Sequence, residues 1–354
     1  MKKHTALRFL AFFTCLILFS GCTGKGNQMP NTPYAVGVID SANYGRGTTY
    51  FHLYDDSLQK LGVLDCPYHA VGSYGSTPLQ ITGGKLYEVS LNNLNTYDGC
   101  AVVSMDLTSG EWEHYPFEEI AYLQDFRATE DGLFVIGNLN QSAYLSYQPL
   151  PNGTPTTIEI EATSATGLSV NGYDVYFTGV DSIDEGSSLY HVNVKERSQE
   201  KLLDVTELLE ESNFLYTQWH NGELYIPNFD RISIYNPDEN KLRHIPLPGE
   251  YACQILLDQD RMYIVDCDQN NNGETDIYRY HPDTQEAEAT YHFTECAMVS
   301  HIQNGILYTL EQDPVTTVRK YELSPDGAYK KLAETTVEAK AKATYRISDM
   351  FVKP

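Results

Sequence analysis

The sequence predicts an all-β chain of seven four-stranded antiparallel units, on the strength of two recurring turns and one spare terminal strand. The first turn follows an apolar or aromatic strand and leads into a second short strand. Its copies are LYDDSLQKLGVL from Leu53, SMDLTSGEWEHY from Ser104, SYQPLPNGTPTTIEI from Ser146, HVNVKERSQEKLL from His191, IYNPDENKLRHI from Ile234, RYHPDTQEAEATY from Arg279 and KYELSPDGAYKKL from Lys320. The residue before each turn is Tyr54, Met105, Tyr147, Val192, Tyr235, Tyr280 or Tyr321. These recur about every 44 residues, a period that marks stacked structural repeats.

The second turn precedes a strand in six repeats: GGKLYEV from Gly83, DGLFVIG from Asp131, NGYDVYF from Asn171, NGELYIP from Asn221, QDRMYIV from Gln259 and NGILYTL from Asn304. Asn-Gly and Asp-Gly supply the positive φ angles that tight hairpins require. Two hairpins per period leave room for four short strands. Helical periodicity is nearly absent, with VTELLEE over Val205 to Glu211 as its best candidate. One such sheet cannot bury both faces alone, so successive units stack around a common axis.

The first repeat opens on YAVGVID from Tyr34 and lacks the innermost strand, while TYRISDMFV from Thr344 is left over at the other end. The terminal segment is therefore expected to complete the first unit and close the ring, which removes open sheet edges. The alternative is a separate terminal strand with six or eight units.

Ahead of the repeats stand Lys2, Lys3 and Arg8, an apolar run from Phe9 to Phe19, and Ser20, Gly21 and Cys22. That order is a basic, then apolar, then small-residue leader, and the apolar run is too short for the ~20 residues that span a bilayer. Leu18 to Cys22 resembles the lipobox of bacterial lipoproteins, with Phe19 where that family usually has leucine. The resemblance implies removal of residues 1–21, a lipid on Cys22 and a location on the outer side of a bacterial membrane. Residues 22–33 then read as a flexible tether and 34–354 as the repeat domain.

The chain carries 24 Lys and Arg against 48 Asp and Glu, a net charge of −24. Such acidity excludes nucleic acid as a partner and gives the domain no attraction to anionic lipid, so membrane residence would depend on the lipid alone. A monomer is expected. Beyond Cys15 in the leader and Cys22, five cysteines remain: Cys66, Cys100, Cys253, Cys267 and Cys296. An odd set at scattered spacings is no disulfide framework; they read as small buried residues, with one pair such as Cys253 and Cys267 possible.

Residues 34–354 resemble bacterial β-propellers of the broad WD40-like, YVTN-like and quinoprotein-like kind, and each unit is then one blade of a seven-bladed ring. The Gly-His and Trp-Asp pairs of WD40 blades and the paired glycines of kelch blades do not recur, so no subfamily's functional residues carry over. In that architecture the loops between second and third strands share one face with the inter-blade loops. They include Asp40 to Gly47, Asn92 to Gly99, Asp181 to Gly186, Asp266 to Asp276 and Glu311 to Pro314, mostly acidic or amide-rich.

Within DCDQNNNGETD, the residues Asp266, Asp268, Asn270, Asn272, Glu274 and Asp276 place oxygen-bearing side chains at alternate positions, a pattern that suits calcium. Asn271 stands where an EF-hand loop needs glycine, and a plain polar turn accounts for the same composition. Tyr44, Tyr68, His69, Tyr74 and Tyr97 fall in or beside the loops and could stack on a sugar or anchor a protein, although most of the 27 tyrosines must serve strand packing. His52, His114, His191 and His292 fall in strands.

No HExxH, GxSxG, Walker or CxxC motif occurs. The expected function is a cell-envelope binding or scaffold protein whose acidic, tyrosine-bearing face holds a protein, peptide or glycan. The alternative is an extracytoplasmic lyase or hydrolase with a site assembled at the axis.

Overall fold

The computed structural model describes residues 29–41, 48–72, 79–90, 101–140, 142–182, 186–209, 217–249, 252–267, 273–281, 286–297, 299–312, 315–340 and 347–354. The leader, Cys22 and most of the tether lie outside them. The described strands form seven four-stranded antiparallel sheets. Blade 1 takes β1 (Val36–Asp40), β2 (Thr48–Tyr54) and β3 (Lys60–His69), and blade 2 takes β4 (Gln80–Thr82), β5 (Lys85–Ser90), β6 (Ala101–Asp106) and β7 (Trp112–Pro116). Blade 3 is β8 (Tyr122–Ala128), β9 (Gly132–Leu139), β10 (Ser142–Pro149) and β11 (Thr156–Ile160); blade 4 is β12 (Ser164–Asn171), β13 (Asp174–Ser182), β14 (Gly186–Asn193) and β15 (Ser198–Asp204). Blade 5 is β16 (Gln218–His220), β17 (Glu223–Asn228), β18 (Arg231–Asn236) and β19 (Lys241–Pro246). Blade 6 is β20 (Ala252–Asp258), β21 (Arg261–Cys267), β22 (Thr275–His281) and β23 (Glu286–Phe293). Blade 7 is β24 (Val299–Gln303), β25 (Ile306–Glu311), β26 (Thr317–Leu323) and β27 (Tyr329–Thr336), and β28 (Ile347–Val352) ends the chain. The predicted helical stretch supplies one turn, Thr206–Leu209.

The recurring turns fold as their residues dictate. At Asn221–Gly222, Asn304–Gly305 and Gly83–Gly84 both central residues have positive φ, as a two-residue hairpin needs. In the other turn an Asp or Asn follows the marker in blades 1, 2, 4 and 5, and its side chain caps backbone N–H groups. Asp55 Oδ1 accepts from Ser57 and Gln59, and Asp106 Oδ1 from Thr108 and Ser109, all within 2.9 Å.

β28 pairs antiparallel with β1, Met350 opposite Val38 and Val352 opposite Val36, so the last strand completes the first blade as expected. At this seam Phe351 is fully buried, and its ring occupies the space that a side chain on Gly37 would need. The other second strands carry Tyr87, Phe134, Tyr176, Tyr225, Tyr263 or Tyr308 at the Gly37 position. In blade 1 the aromatic ring comes instead from the partner strand. Lys320 of blade 7 also bonds the Asp56 side chain of blade 1 at 2.5 Å.

First strands of neighbouring blades touch one another, β4 with β8, β8 with β12, β12 with β16, β20 with β24 and β24 with β28, which sets them around the axis. Their inner edges would present unpaired backbone groups, and side chains from the preceding blade meet many of these. Gln80 donates to the Phe126 carbonyl and accepts from Ala128 N–H, both at 2.7 Å. Asp125 accepts from Leu168 N–H at 2.7 Å, Gln254 donates to the Ser300 carbonyl at 3.1 Å, and His301 Nε2 donates to the Met350 carbonyl at 2.6 Å. Burial pushes the Asp125 carboxyl up to about 6 despite its Arg127 partner, and holds His301 neutral by pulling it down.

Apolar packing lies between blades. Each of seven buried clusters joins two neighbours, for example Phe134, Leu145 and Ile160 of blade 3 with Leu168, Val175 and Phe177 of blade 4. Middle strands are covered on both faces, which is why Leu133 to Ile136 read as an unbroken apolar run that is fully buried. Each such large side chain contributes about 1.5–3 kcal/mol. Outermost strands such as β27 stay largely exposed.

Candidate functional site at the loop face

The loop face is the end at which each second strand hands over to the third and each blade to the next. Six large apolar side chains among the described residues are strongly exposed, and three of them are at this end. Tyr122 (72% exposed) opens the innermost strand β8, Phe229 (43%) lies between β17 and β18, and Val315 (53%) precedes β26. At the same end Glu118, Glu119, Asp230 and Glu274 are exposed carboxylates. Among the described residues of this end, Arg231 pairs with Asp230 at 3.0 Å, Arg319 with Glu311 at 2.6 Å and Lys340 with Asp65 at 3.1 Å. The described part of the face therefore offers two aromatic rings and a valine together with exposed carboxylates.

Beneath it, at the junction of blades 1 and 2, lies a buried polar group of Asp40, Ser41, Thr49, His52, Glu88 and Ser90. His52 Nε2 stands 3.1 Å from Asp40 Oδ2, which also accepts from Lys340 N–H. Ser41 Oγ meets Thr49 Oγ1 at 3.2 Å, and Thr49 Oγ1 accepts from Val71 N–H at 3.1 Å. Glu88 on β5 accepts from Val89 N–H at 2.9 Å through one oxygen, while the other has no hydrogen-bond donor. Asp349 on β28 accepts from Met350 N–H at 2.7 Å and from the Leu79 amide, which precedes β4 beside Glu88. Burial raises both carboxyls, and the Asp349 charge raises Glu88 further. The pair can thus hold a proton at neutral pH.

The sequence-predicted residues separate. Tyr68 stacks on His114 with ring centroids 5.3 Å apart and meets Trp112 edge-on at 6.0 Å, so its ring is packed between the outer strands of blades 1 and 2. His69 ends β3, and its carbonyl accepts from Ser90 Oγ at 3.1 Å. Tyr44, Tyr74 and Tyr97 lie outside the described residues, as do Asp268, Asn270 and Asn272. Of the remaining calcium candidates, Asp266 is buried against Gly249, Asp276 bonds His292 at 2.8 Å, and Glu274 is exposed. Among the described residues no three His, Cys, Asp or Glu side chains gather in a way that could hold a metal. His52, His114, His191 and His292 are in strands β2, β7, β14 and β23.

Two features escaped the sequence reading. Tyr122 sits in FEEIAYLQD, where a tyrosine beside two glutamates in an inter-blade connection was the available signal. Glu88 was visible as a charge inside KLYEVS, at a position where the other second strands are mostly apolar. Only the closed ring brings Asp349 to it.

No protein-family model and no curated protein matches the sequence. Solved structures do match in shape. One protein from Bacteroides uniformis, provisionally assigned as a 6-phosphogluconolactonase, superposes with a TM-score of 0.61 at 11% identity, covering 91% of this chain and 100% of the other. Another with that provisional assignment, from Bacteroides fragilis, gives 0.59 at 10% identity over 92% and 99%. The WD40 domain of Toxoplasma gondii coronin gives 0.52 at 11% identity over 88% and 78%. At such identities the likeness is one of fold, and the chain is a seven-bladed β-propeller.

Proposed function

We propose that this protein is a cell-envelope binding protein, held by a lipid on Cys22, whose loop face captures a basic, partly apolar segment of a partner protein. The observation that supports the reading is the placement of Tyr122, Phe229 and Val315 at one end of the ring, which also carries exposed carboxylates and, among the described residues, the paired cations Arg231, Arg319 and Lys340. Aromatic anchors inside a charged rim supply affinity and orientation respectively. A cationic partner complements a chain of net charge −24.

The test measures fluorescence anisotropy with a set of labelled Lys- and Leu-rich peptides and their Glu-substituted counterparts. Binding should favour the basic set and weaken with salt. Tyr122→Ala with Phe229→Ala should weaken it by at least ~30-fold, as expected for two anchors, while melting stays unchanged because both side chains are exposed. Binding that tolerates both substitutions, or prefers the acidic peptides, overturns the reading.

A hydrolytic reading draws on the Glu88 and Asp349 pair and on the provisional assignment of two fold neighbours. The exposed carboxylates of the loop face oppose a phosphorylated sugar, since a phosphate dianion would meet like charge there. Turnover of 6-phosphogluconolactone that is lost in Glu88→Gln would establish this reading over the first.

A further inference from the structure

Three cysteines of blade 6 come together at the loop face, although the sequence spreads them across 44 positions. Cys267 ends β21, Cys253 lies on the adjoining strand β20, and Cys296 stands in the connection from β23 to β24. The sequence alone reads these cysteines as small buried residues and leaves room for one pair such as Cys253 and Cys267. The structure sets Cys267 Sγ 2.8 Å from Cys296 Sγ.

That approach is built by the surrounding backbone. Thr275, which pairs with Cys267 across β21 and β22, is fully buried and donates its hydroxyl to the Glu295 carbonyl at 2.8 Å. The same oxygen accepts from Ala297 N–H at 2.8 Å. Thr275 thus clamps the residue on each side of Cys296 and holds its side chain over Cys267. The Tyr321 hydroxyl of blade 7 donates to the Glu295 carboxylate and fixes the connection from its other side. Closing the sulfurs by about 0.8 Å reaches the ~2.05 Å of an S–S bond.

We propose that Cys267 and Cys296 are a disulfide site, oxidised by thiol–disulfide exchange with a disulfide-bearing oxidant such as an oxidised dithiol protein or oxidised glutathione. Cys296 is the more exposed of the two, so its thiolate attacks one sulfur of the oxidant, breaks that S–S bond and forms a mixed disulfide. The departing sulfur takes up a proton as the first thiol. Cys267 loses its proton and attacks Cys296 Sγ, and the second oxidant sulfur leaves as a thiol. Two cysteine sulfurs give up two electrons in total, and the two oxidant sulfurs receive them. Cys253 remains a thiol.

The bond would staple the end of β21 to the strand connection that enters blade 7. It would fix the seam between those blades beside the face that presents Val315. This inference stands apart from the peptide-binding reading and from any export of the chain, because it concerns only the chemistry of the folded ring.

The test treats the purified, folded chain with oxidised glutathione, blocks remaining thiols with N-ethylmaleimide, and maps the non-reduced digest by mass spectrometry. The expected product is a Cys267–Cys296 cross-linked peptide, lighter by two hydrogens than its separate halves. Cys253→Ser should retain it, and Cys296→Ser should abolish it while the far-ultraviolet spectrum stays that of the wild type. Buried Cys66 should take up maleimide only after denaturation. A Cys253–Cys267 cross-link as the main product overturns the proposal, as does glutathione left on Cys296 with no internal bond, or all three thiols recovered as maleimide adducts.

Discussion

Replacing Phe351 by alanine tests the ring closure in quantitative terms. The ring is fully buried, lies 6.2 Å from Phe51 and 6.3 Å from Tyr34, and belongs to the apolar cluster that joins blades 1 and 2. Truncating a large core aromatic costs about 3–5 kcal/mol. A methyl group added at Gly37 would stand 2.1 Å from the Phe351 ring, so Gly37→Ala alone should cost about 1–3 kcal/mol through overpacking. With Phe351 already alanine, the same methyl enters vacated space and should cost almost nothing. The two substitutions should therefore couple favourably by about 1–3 kcal/mol, read from urea unfolding followed by tyrosine fluorescence and circular dichroism in the wild type, both single variants and the double variant. Strictly additive costs, or a Phe351→Ala penalty below about 1 kcal/mol, would refute the idea that β28 supplies the missing aromatic of blade 1.

Further outcomes follow from the axial ties and the leader. Asp125 has its folded pKa raised to about 6. Its protonated form favours the fold below the unfolded value of about 3.9, and that advantage is lost as pH rises through about 6. The stability of the wild type relative to Asp125→Asn should accordingly fall by about 2 kcal/mol between pH 4 and pH 7, and a flat difference in denaturant midpoints across that range would contradict it. His301 is pulled down by burial, so its contribution has the opposite sign: it is present above the unfolded value near 6.5 and lost as pH falls below it. His301→Ala should cost about 1–3 kcal/mol at pH 8 by stranding the Met350 carbonyl, and less at pH 5, which calorimetric melting at the two pH values would show. Cys22→Ser should move the exported chain from the membrane fraction to the soluble fraction; continued sedimentation with membranes would rule out the lipid tether.

The blade count, the order of strands and the closing segment were legible in the residues because hairpins are local. An Asn-Gly pair or an Asp that caps its own turn acts within four residues, and the seven marker turns recur at one period. Tyr54, Met105 and Tyr235 announced buried positions for the same reason, each ending an apolar strand at a turn. Contacts between blades were a different matter. Asp349 is 261 positions from Glu88, and Phe351 is 314 from Gly37, and no periodicity within a blade encodes which face of which neighbour each will meet. Tyr68 read as a rim aromatic and proved to stack on His114, since a side chain near a loop can turn inward when a neighbouring outer strand offers a ring. Cys296 reaches Cys267 because the Thr275 hydroxyl holds the incoming connection in place, a contact that no local sequence pattern encodes. Sequence alone thus determined the repeating unit, through short-range backbone chemistry, whereas the carboxylate pair, the thiol pair and the exposed anchors were decided only when the ring closed and burial was shared between blades.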